Sequence, residues 1–245
     1  MNHDTAVIND PMFAALAEDL RTQGYSVKPD AVPLALANSL RDELKATAPG
    51  RFKLAQMGRL RHQHTDQQLR GDSTLWIDDQ SKAGLDWLNW TAQLQTYLNQ
   101  HLLLGLFSFE SHFAHYPPGS AYTRHRDTFV YASKHAIAKD VESAASQDSK
   151  HTGQSNSANA QQAASSRVLS LVTYLNPDWS VDAGGELVLY TKAEAVEVLP
   201  VHKTLVVFLS EEFEHEVRPA TADRFSVAGW YRRNTSLSNR VDPPN

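Results

Sequence analysis

The hexapeptide Tyr122-Thr123-Arg124-His125-Arg126-Asp127 decides how the rest of the chain is organised. On an extended strand, side chains two residues apart point to the same face, so His125 and Asp127 can both approach one point. An imidazole nitrogen and a carboxylate oxygen presented together are two adjacent ligands for a divalent first-row metal. Because the chain has 11 histidines, an H-x-D pattern can arise by chance, and the assignment needs further ligands.

Three later residues, Tyr174, His215 and Arg224, complete the candidate site. His215 follows a predicted strand and turn and is the candidate third ligand. Two imidazoles and a carboxylate form a facial triad that leaves roughly three of about six octahedral positions open, as in non-haem Fe(II) oxygenases. Strand alternation lets Arg224 and Tyr174 point inward, where a guanidinium requires a carboxylate partner. Taken singly, each residue also fits a surface or core position, but together they predict a pocket for a dicarboxylate beside a metal.

The composition of the 245-residue chain excludes several functional classes. A net charge of −5 gives no overall attraction to nucleic acid or anionic membranes. The lack of cysteine excludes a disulfide framework and thiolate chemistry. The longest apolar run, residues 102–107, is too short to span a bilayer, and residues 1–10 lack the pattern of a secretory signal. We therefore expect a soluble, cytoplasmic protein that binds neither nucleic acid nor membrane.

The periodicity of apolar residues changes along the chain. Residues 1–104 predict helices that begin at Asp10-Pro11 and at about 32 and 85. From residue 106 the period is two, in short segments separated by turns, which is typical of a sandwich or jelly roll. Residues 134–166 are rich in Ala, Ser and Gln and predict a mobile insertion in a core of 105–234, followed by a tail at 235–245. We expect a single, mainly β domain, 1–245, with the helices packed on a sheet.

Further motifs extend over residues 70–232 outside the insertion. They are Arg70-Gly71-Asp72 with Trp76-Ile77, Tyr116-Pro117 with Gly119, Thr173-Tyr174-Leu175-Asn176-Pro177-Asp178-Trp179, Gly184-Gly185-Glu186-Leu187, His215-Glu216-Val217, and the segment from Arg224 through Trp230-Tyr231. With these motifs the chain resembles the 2-oxoglutarate- and Fe(II)-dependent prolyl hydroxylases. The resemblance is greater to the hypoxia-inducible-factor enzymes and their bacterial relatives than to the collagen enzymes, which usually have Lys at the position of Arg224.

The resemblance implies a double-stranded β-helix (jelly roll) with N-terminal helices packed against its major sheet. It also implies that His125, Asp127 and His215 bind Fe(II), with no catalytic residue beyond these metal ligands. The co-substrates would be 2-oxoglutarate and O2, with ascorbate as a reductant. The implied ligands of 2-oxoglutarate are Arg224, Tyr174 and Tyr116, and the implied substrate-binding residues are Arg70, Asp72, Trp76, Arg124, Arg167 and Trp230.

The implied reaction is hydroxylation of a prolyl residue in a protein by a monomeric enzyme, giving 4-hydroxyproline, succinate and CO2. The bacterial relatives make elongation factor Tu a candidate partner, through an exposed proline loop. Residues 57–72 would close over the substrate, anchored by an ion pair between Asp72 and Arg167. Two departures from the family pattern are Ala228, where some relatives carry a hydroxyl residue, and the insertion at 134–166, which is longer than usual.

Two other functions compete with this interpretation. One is nucleic-acid demethylation of the AlkB type, which the spacing of Arg218 and Arg224 superficially matches. Those enzymes place their arginines further beyond the distal histidine, and the acidic charge of this chain opposes nucleic-acid binding. The other is a non-catalytic, cupin-like binding module. The presence of all three candidate ligands together with Arg224 disfavours such a module.

Overall fold

We describe the protein from a computed structural model, in which residues 10–55, 70–127 and 167–234 are described. These ranges contain the helices α1 (Pro11–Gln23), α2 (Leu34–Ala46) and α3 (Lys82–Leu102). Their strands are β1 (Tyr25–Lys28), β2 (Lys53–Leu54), β3 (Ser73–Trp76), β4 (Leu106–Tyr116), β5 (Tyr122–His125), β6 (Arg167–Tyr174), β7 (Leu187–Tyr190), β8 (Ala195–Val198), β9 (Leu205–Leu209), β10 (Glu214–Val217) and β11 (Arg224–Arg233). Of the predicted lid at 57–72 only residues 70–72 are described, and the predicted insertion at 134–166 and the predicted tail at 235–245 lie outside the described residues.

The strands form two antiparallel sheets, which confirms the predicted jelly roll. The major sheet has the order β1-β9-β6-β11-β4-β3-β2, and the minor sheet has the order β5-β10-β7-β8. One apolar cluster lies between the sheets and draws residues from both, including Phe208 of the major sheet and Leu189 of the minor sheet. The candidate site lies between the two sheets, next to this cluster.

The helices cover the outer face of the major sheet, as the sequence predicts. The Asp10 carboxylate accepts hydrogen bonds from the backbone N–H groups of Met12 (2.8 Å) and Phe13 (3.3 Å), and so caps α1. Buried residues of the helices, such as Trp87 of α3, pack with sheet residues such as Val227 into a second apolar cluster. Within the described ranges, no helix has the length and apolar character needed to cross a membrane.

Strand β11 separates these two clusters because its side chains alternate. Val227 and Tyr231 face the helices, where the Tyr231 hydroxyl donates to the backbone carbonyl of Thr91 at 2.9 Å. Arg224 lies on the opposite face, beside the cluster between the sheets. The strand pairs with β4 from Arg224 to Arg233 and with β6 from Ser226 to Arg232, so most of its side chains have neighbours on both flanks. The face assignment of β11 predicted from its sequence is therefore confirmed.

Gly229 sits on the helix-facing side of β11 because no side chain fits there. A Cβ atom at this position would lie 2.6 Å from Cζ of Phe109 and 2.9 Å from Cβ of Ser111. The Phe109 ring packs against Tyr231 with a centroid separation of 4.5 Å, and the Ser111 hydroxyl accepts a hydrogen bond from the Trp87 indole at 3.0 Å. Neither neighbour can retreat without breaking a contact of its own.

We expect the substitution Gly229→Ala to lower the free energy of unfolding by about 1–3 kcal/mol, because overpacking displaces the Phe109 ring. Chemical denaturation of both proteins measures this difference. Gly50→Ala is a matched control, because a Cβ atom at Gly50 would have no neighbour within 4 Å. A G229A protein as stable as G50A would show that the two strands adjust freely at this point.

His112 is a buried, titratable residue of β4 on the opposite face from Ser111. The ring lies between the indoles of Trp76 and Trp230, with centroid separations of 5.3 Å and 5.4 Å, and only 3% of the residue is exposed. Burial, reinforced by the positive charge of Arg70, lowers the pKa of His112 from its usual 6.5 to about 4. The folded protein therefore holds a neutral imidazole here at neutral pH.

A depressed histidine pKa makes folding sensitive to acid in a defined window. Above the unfolded-state pKa, His112 is neutral in both states and contributes nothing. As the pH falls from 6.5 towards 4, the unfolded state takes up the proton first and is stabilised. Between pH 7.5 and pH 5 we expect this residue alone to remove about 2 kcal/mol of stability.

The variant His112→Asn tests this expectation, because asparagine keeps an N–H donor and cannot titrate. Unfolding free energies of metal-free wild type and variant at pH 7.5 and pH 5 give a double difference in which the other titrating groups cancel. The wild type should lose about 2 kcal/mol more than H112N on acidification. Equal losses would mean that the imidazole is protonated in the folded protein over this range.

Candidate metal and co-substrate site

The three candidate metal ligands meet at one point between the sheets. One ligand atom from each of His125, Asp127 and His215 lies within 4.8 Å of the other two. Nε2 of His125 is 3.8 Å from Oδ1 of Asp127, and Nε2 of His215 is 3.7 Å from Oδ2. His125 and His215 are direct partners in the pairing of β5 with β10. One detail of the sequence prediction is wrong: β5 ends at His125, so Asp127 reaches the cluster from beyond the strand.

Backbone carbonyls orient both imidazoles. Nδ1 of His125 lies 2.7 Å from the carbonyl oxygen of Thr123, and Nδ1 of His215 lies 3.5 Å from that of Phe213. A carbonyl oxygen can only accept, so Nδ1 carries the proton and Nε2 offers its lone pair to the cluster. Burial, together with the nearby His215, lowers the pKa of His125 to about 4, which keeps this imidazole neutral at physiological pH.

The Asp127 carboxylate supplies the negative charge of the cluster. Burial opposes its ionisation, but His215, His125 and a hydrogen bond from Ser170 outweigh that effect and lower the pKa of Asp127 to about 2. The Ser170 hydroxyl donates to Oδ2 of Asp127 at 2.6 Å. Two imidazole nitrogens and one anionic oxygen make a donor set that suits a divalent transition metal such as Fe(II).

Arg224 is a buried cation beside this cluster. Only 1% of the residue is exposed; its Nε donates to the carbonyl oxygen of Gly185 at 2.8 Å, and one terminal nitrogen is 3.4 Å from the Ser226 hydroxyl. The other terminal nitrogen has no hydrogen-bond partner, and no carboxylate of the described residues forms a salt bridge with Arg224. A buried charge without a counterion is costly, so the position calls for an anionic ligand.

Two tyrosines face the same guanidinium. The Arg224 guanidinium carbon is 5.1 Å from the ring centroids of both Tyr116 and Tyr174. The Tyr174 hydroxyl is buried and has no hydrogen-bond partner in the described part of the chain. Burial raises the pKa of Tyr174 to about 12, a rise that Arg224 only partly offsets, and raises the pKa of Tyr116 well above its usual value. Both phenols are therefore protonated donors, and a carboxylate group fits the partnerless hydroxyl and guanidinium together.

Gly185 makes room for Arg224. Its φ of +78° is in the left-handed region, and a Cβ atom there would lie 3.3 Å from Cδ of Arg224 and 3.0 Å from Cβ of Ala220. Glycine thus allows the backbone carbonyl to approach and hold the guanidinium. The Gly-Gly turn that the sequence marks before β7 has this second role in the site.

Five of the six residues predicted to bind substrate lie at one side of the site, and Arg124 does not. Arg70 and Asp72 form a bidentate ion pair at 2.7 Å and 3.0 Å, which is buried at Asp72. The predicted ion pair between Asp72 and Arg167 is therefore wrong. The Arg167 guanidinium lies 3.7 Å from the ring centroid of Trp230 and 3.3 Å from the Glu110 carboxylate. Arg70 thus pairs with Asp72, and Arg167 pairs with Glu110.

The two tryptophans differ in exposure. Trp76 is 57% exposed, whereas Trp230 is 7% exposed and its indole N–H has no hydrogen-bond partner in the described residues. Arg124, the remaining predicted residue, lies elsewhere. It pairs with Glu214 at 2.6 Å and covers the Tyr190 ring at 3.8 Å. Neighbours on a strand point to opposite faces, so Arg124 turns away from the cluster that contains His125.

Three further residues near the cluster, Ser170, Tyr122 and His112, have no role predicted from the sequence. Tyr122 stacks on the His125 imidazole at a centroid distance of 3.6 Å, and Ser170 contacts Asp127. Alternation along β6 does place Ser170 on the same face as Tyr174, and that was the available signal. A serine on a strand face is too common to be singled out before its partner is known.

Comparisons with known proteins agree with this geometry. The family model of the 2OG-Fe(II) oxygenase superfamily matches residues 111–232. A crystal structure of a Pseudomonas putida prolyl-4-hydroxylase is 33% identical in sequence, with a TM-score of 0.70 over 91% of this chain and 99% of that chain.

Two other solved structures share the fold. A Trichoplax adhaerens prolyl hydroxylase, solved with a hypoxia-inducible-factor peptide fragment, is 23% identical with a TM-score of 0.67 and covers 90% of this chain and 89% of its own. The viral collagen prolyl hydroxylase of Paramecium bursaria Chlorella virus 1, solved with 2-oxoglutarate, is 13% identical with a TM-score of 0.54 and covers 87% of this chain and 98% of its own. With 33% identity to the Pseudomonas enzyme over nearly its whole length, the chain belongs to the family of 2-oxoglutarate- and Fe(II)-dependent prolyl hydroxylases and is a dioxygenase.

Proposed function

We propose that the protein hydroxylates C4 of a prolyl residue in a protein substrate and converts 2-oxoglutarate and O2 to succinate and CO2. The observation that carries this proposal is the buried guanidinium of Arg224 beside a two-histidine, one-carboxylate cluster. Among the described residues this guanidinium has an open donor and no carboxylate partner. A dicarboxylate with a 2-oxo group satisfies both features at once. Its distal carboxylate neutralises the cation, and its 2-oxo acid end can bind a metal.

His125, Asp127 and His215 would hold the iron. When bound, Fe(II) supplies the activation of O2, with electrons from the oxidative decarboxylation of 2-oxoglutarate. The protein contributes position: both imidazoles are oriented through Nδ1, the His125 imidazole is neutral, and the Asp127 carboxylate is ionised. No side chain is needed as a general base, because the proline C4 hydrogen does not leave as a proton taken up by the protein.

Arg224, Tyr174 and Tyr116 would bind the distal carboxylate of 2-oxoglutarate. The open guanidinium nitrogen and the Tyr174 hydroxyl, neither of which has a partner among the described residues, can each donate a charge-assisted hydrogen bond to this carboxylate. Tyr116 flanks the same guanidinium and restricts the width of the pocket. Ascorbate would reduce oxidised iron back to Fe(II) between turnovers.

A peptide segment is the substrate that suits the remaining wall. Exposed Trp76 and buried Trp230 stand on either side of His112, and Arg167 covers the Trp230 ring. Aromatic faces pack against a proline ring, and the open Trp230 N–H can donate to a peptide carbonyl. The peptide bound to the similar Trichoplax structure supports a protein substrate. Arg70 and Asp72, paired at the base of the predicted lid, would support this wall, and the enzyme would act as a monomer.

Elongation factor Tu is our candidate substrate, on the grounds of the resemblance to bacterial prolyl hydroxylases. The nucleic-acid demethylase and the non-catalytic module are disfavoured. The net charge of −5 opposes nucleic-acid binding, and a binding module has no need of a convergent ligand cluster beside an open guanidinium.

Incubation of the enzyme with Fe(II), 2-oxoglutarate and elongation factor Tu, or with cell extract, should add one oxygen atom to a prolyl residue, as read by peptide mass spectrometry. Asp127→Ala should reduce this signal to background, because removing a ligand releases the metal. Asp79→Ala, at an exposed carboxylate, is the matched control and should retain activity. Oxygen added only to non-prolyl residues would overturn the proposed reaction, and turnover by D127A would overturn the ligand assignment.

Tyr174→Phe and Arg224→Gln should weaken binding of 2-oxoglutarate, because each removes a donor to its distal carboxylate. For Y174F we expect a rise in Kd of about tenfold or more. Anaerobic calorimetry with Mn(II) in place of Fe(II) gives the Kd of 2-oxoglutarate and of pyruvate, which has no distal carboxylate. The ratio of the Kd of pyruvate to the Kd of 2-oxoglutarate should be smaller in both variants than in the wild type.

Tyr190→Phe is the control for this series, because Tyr190 lies under Arg124, away from the cluster. It should leave the preference for 2-oxoglutarate unchanged. A preference that survives in both Y174F and R224Q would place the distal carboxylate elsewhere in the protein.

A further inference from the structure

Ser170 links the two sheets at the candidate metal site. It lies on β6 of the major sheet, is 1% exposed, and donates a hydrogen bond of 2.6 Å to Oδ2 of Asp127. Asp127 belongs to the segment that follows β5 of the minor sheet. The hydrogen bond therefore joins a candidate metal ligand on one sheet to a buried hydroxyl on the other.

Asp127 needs such a contact more than the two histidines do. His125 and His215 are paired in the ladder of β5 and β10, and their rings pack on Tyr122 (3.6 Å) and Phe208 (4.8 Å). Asp127 lies two residues beyond the end of β5, where the described ladder pairing has ended. Besides the hydrogen bond from Ser170, Asp127 has one other hydrogen bond among the described residues. In it, the Arg167 guanidinium donates to the backbone carbonyl oxygen of Asp127 at 3.5 Å.

A second serine orients the first. Oγ of Ser210 lies 2.9 Å from Oγ of Ser170, and Ser210 is fully buried. Ser170 has one hydroxyl hydrogen, and it donates this hydrogen to Oδ2 of Asp127. Ser210 must then be the donor in its contact with Ser170. The direction of both hydrogen bonds is therefore fixed: Ser210 donates to Ser170, and Ser170 donates to Asp127.

The backbone of Ser210 is itself anchored. Its N–H donates to the carbonyl oxygen of Val168 at 3.0 Å, just beyond the end of β9. Ser170 is paired in register with Phe208 of β9 and with Trp230 of β11. Both hydroxyls are thus held in place by backbone hydrogen bonds of β6 and of the segment that follows β9.

We propose that Ser170, oriented by Ser210, is a positioning residue that sets the Asp127 carboxylate for metal binding. This inference rests on the proposed function, which makes Asp127 a metal ligand. A ligand held by a hydrogen bond loses less conformational freedom when the metal binds, and loss of such partners typically costs about 10- to 100-fold in affinity. Ser170 therefore raises the affinity of the site without touching the metal.

Mn(II) is the probe, because it has the charge of Fe(II), favours similar oxygen and nitrogen ligands and is stable in air. The full-length wild type and variants are stripped of metal, and the Kd for Mn(II) is measured by calorimetry and by electron paramagnetic resonance of the free ion. Ser170→Ala should weaken Mn(II) binding by about 10- to 100-fold. Ser210→Ala should weaken it by a smaller factor, because Ser170 then keeps its bond to Asp127 but loses its orientation.

Three further variants separate positioning from a general effect on the fold. Ser111→Ala removes an equally buried hydroxyl from the helix-facing side of the same sheet and should leave the Kd for Mn(II) unchanged. Ser170→Thr retains the hydroxyl and should keep affinity near that of the wild type. Ser170→Cys fills the same space with a weak donor and should weaken binding even if S170A fails to fold.

The absorption spectrum of bound Co(II) adds a readout of ligand geometry. It should change in S170A and S170C and stay that of the wild type in S111A. Affinity and spectrum unchanged in S170A or S170C would overturn this inference alone and leave the proposed function standing, and so would an equal loss in S111A. A wild type that binds no Mn(II), or binds it as well after His215→Ala, would overturn the proposed metal site together with the inference.

Discussion

The antiparallel pairing of β11 with β4 and β6 is the constraint on which the rest of the structure depends. Alternation on β11 sends Val227 and Tyr231 to the helices and Arg224 and Trp230 to the site. A slip of one residue would exchange the two faces, burying a guanidinium under α3 and exposing apolar side chains to the pocket. Because both flanks of the strand are paired over most of its length, this register is held from two sides. The residues of β11 that pack in the helix-facing core and those that face the candidate site thus lie on opposite faces of the same strand.

The site gathers charges that the fold itself does not neutralise. Arg224 is a buried cation with an open donor, and Asp127 is a carboxylate ionised in spite of its burial. Arg224 is destabilising to the extent that it lacks a counterion, whereas His215, His125 and Ser170 stabilise the ionised form of Asp127. In the proposed function, a dicarboxylate beside Arg224 would supply the missing negative charge, and a divalent metal would bind the carboxylate of Asp127. The open charge of Arg224 would then raise the affinity of the site for its co-substrate.

Much of this arrangement follows from the sequence, because the relevant signals are local. The period of two along β4, β6 and β11 predicted the faces of Tyr174 and Arg224, and the H-x-D pattern with His215 predicted the cluster. The errors concern partners that local pattern cannot determine. Asp72 pairs with Arg70, two residues away, and Arg167 pairs with Glu110 instead. Strands β1 and β2 escaped prediction because four and two residues carry little periodicity, and their pairing partners lie far away in the sequence.

The site lies at the seam between the two sheets, and each sheet contributes something that the other lacks. The minor sheet carries His125 and His215 as a directly paired couple, and the major sheet carries Arg224, Tyr174 and the serine pair that holds Asp127. Neither sheet alone assembles a complete set of metal and dicarboxylate contacts. Sub-ångström changes in the sheet spacing would alter the hydrogen bond between Ser170 and Asp127 before they altered either ladder, since a side-chain bond across a seam has no neighbouring ladder bonds to reinforce it. The geometry of the candidate metal ligands thus depends on how the sheets pack on each other, and the apolar cluster between the sheets supports the candidate site.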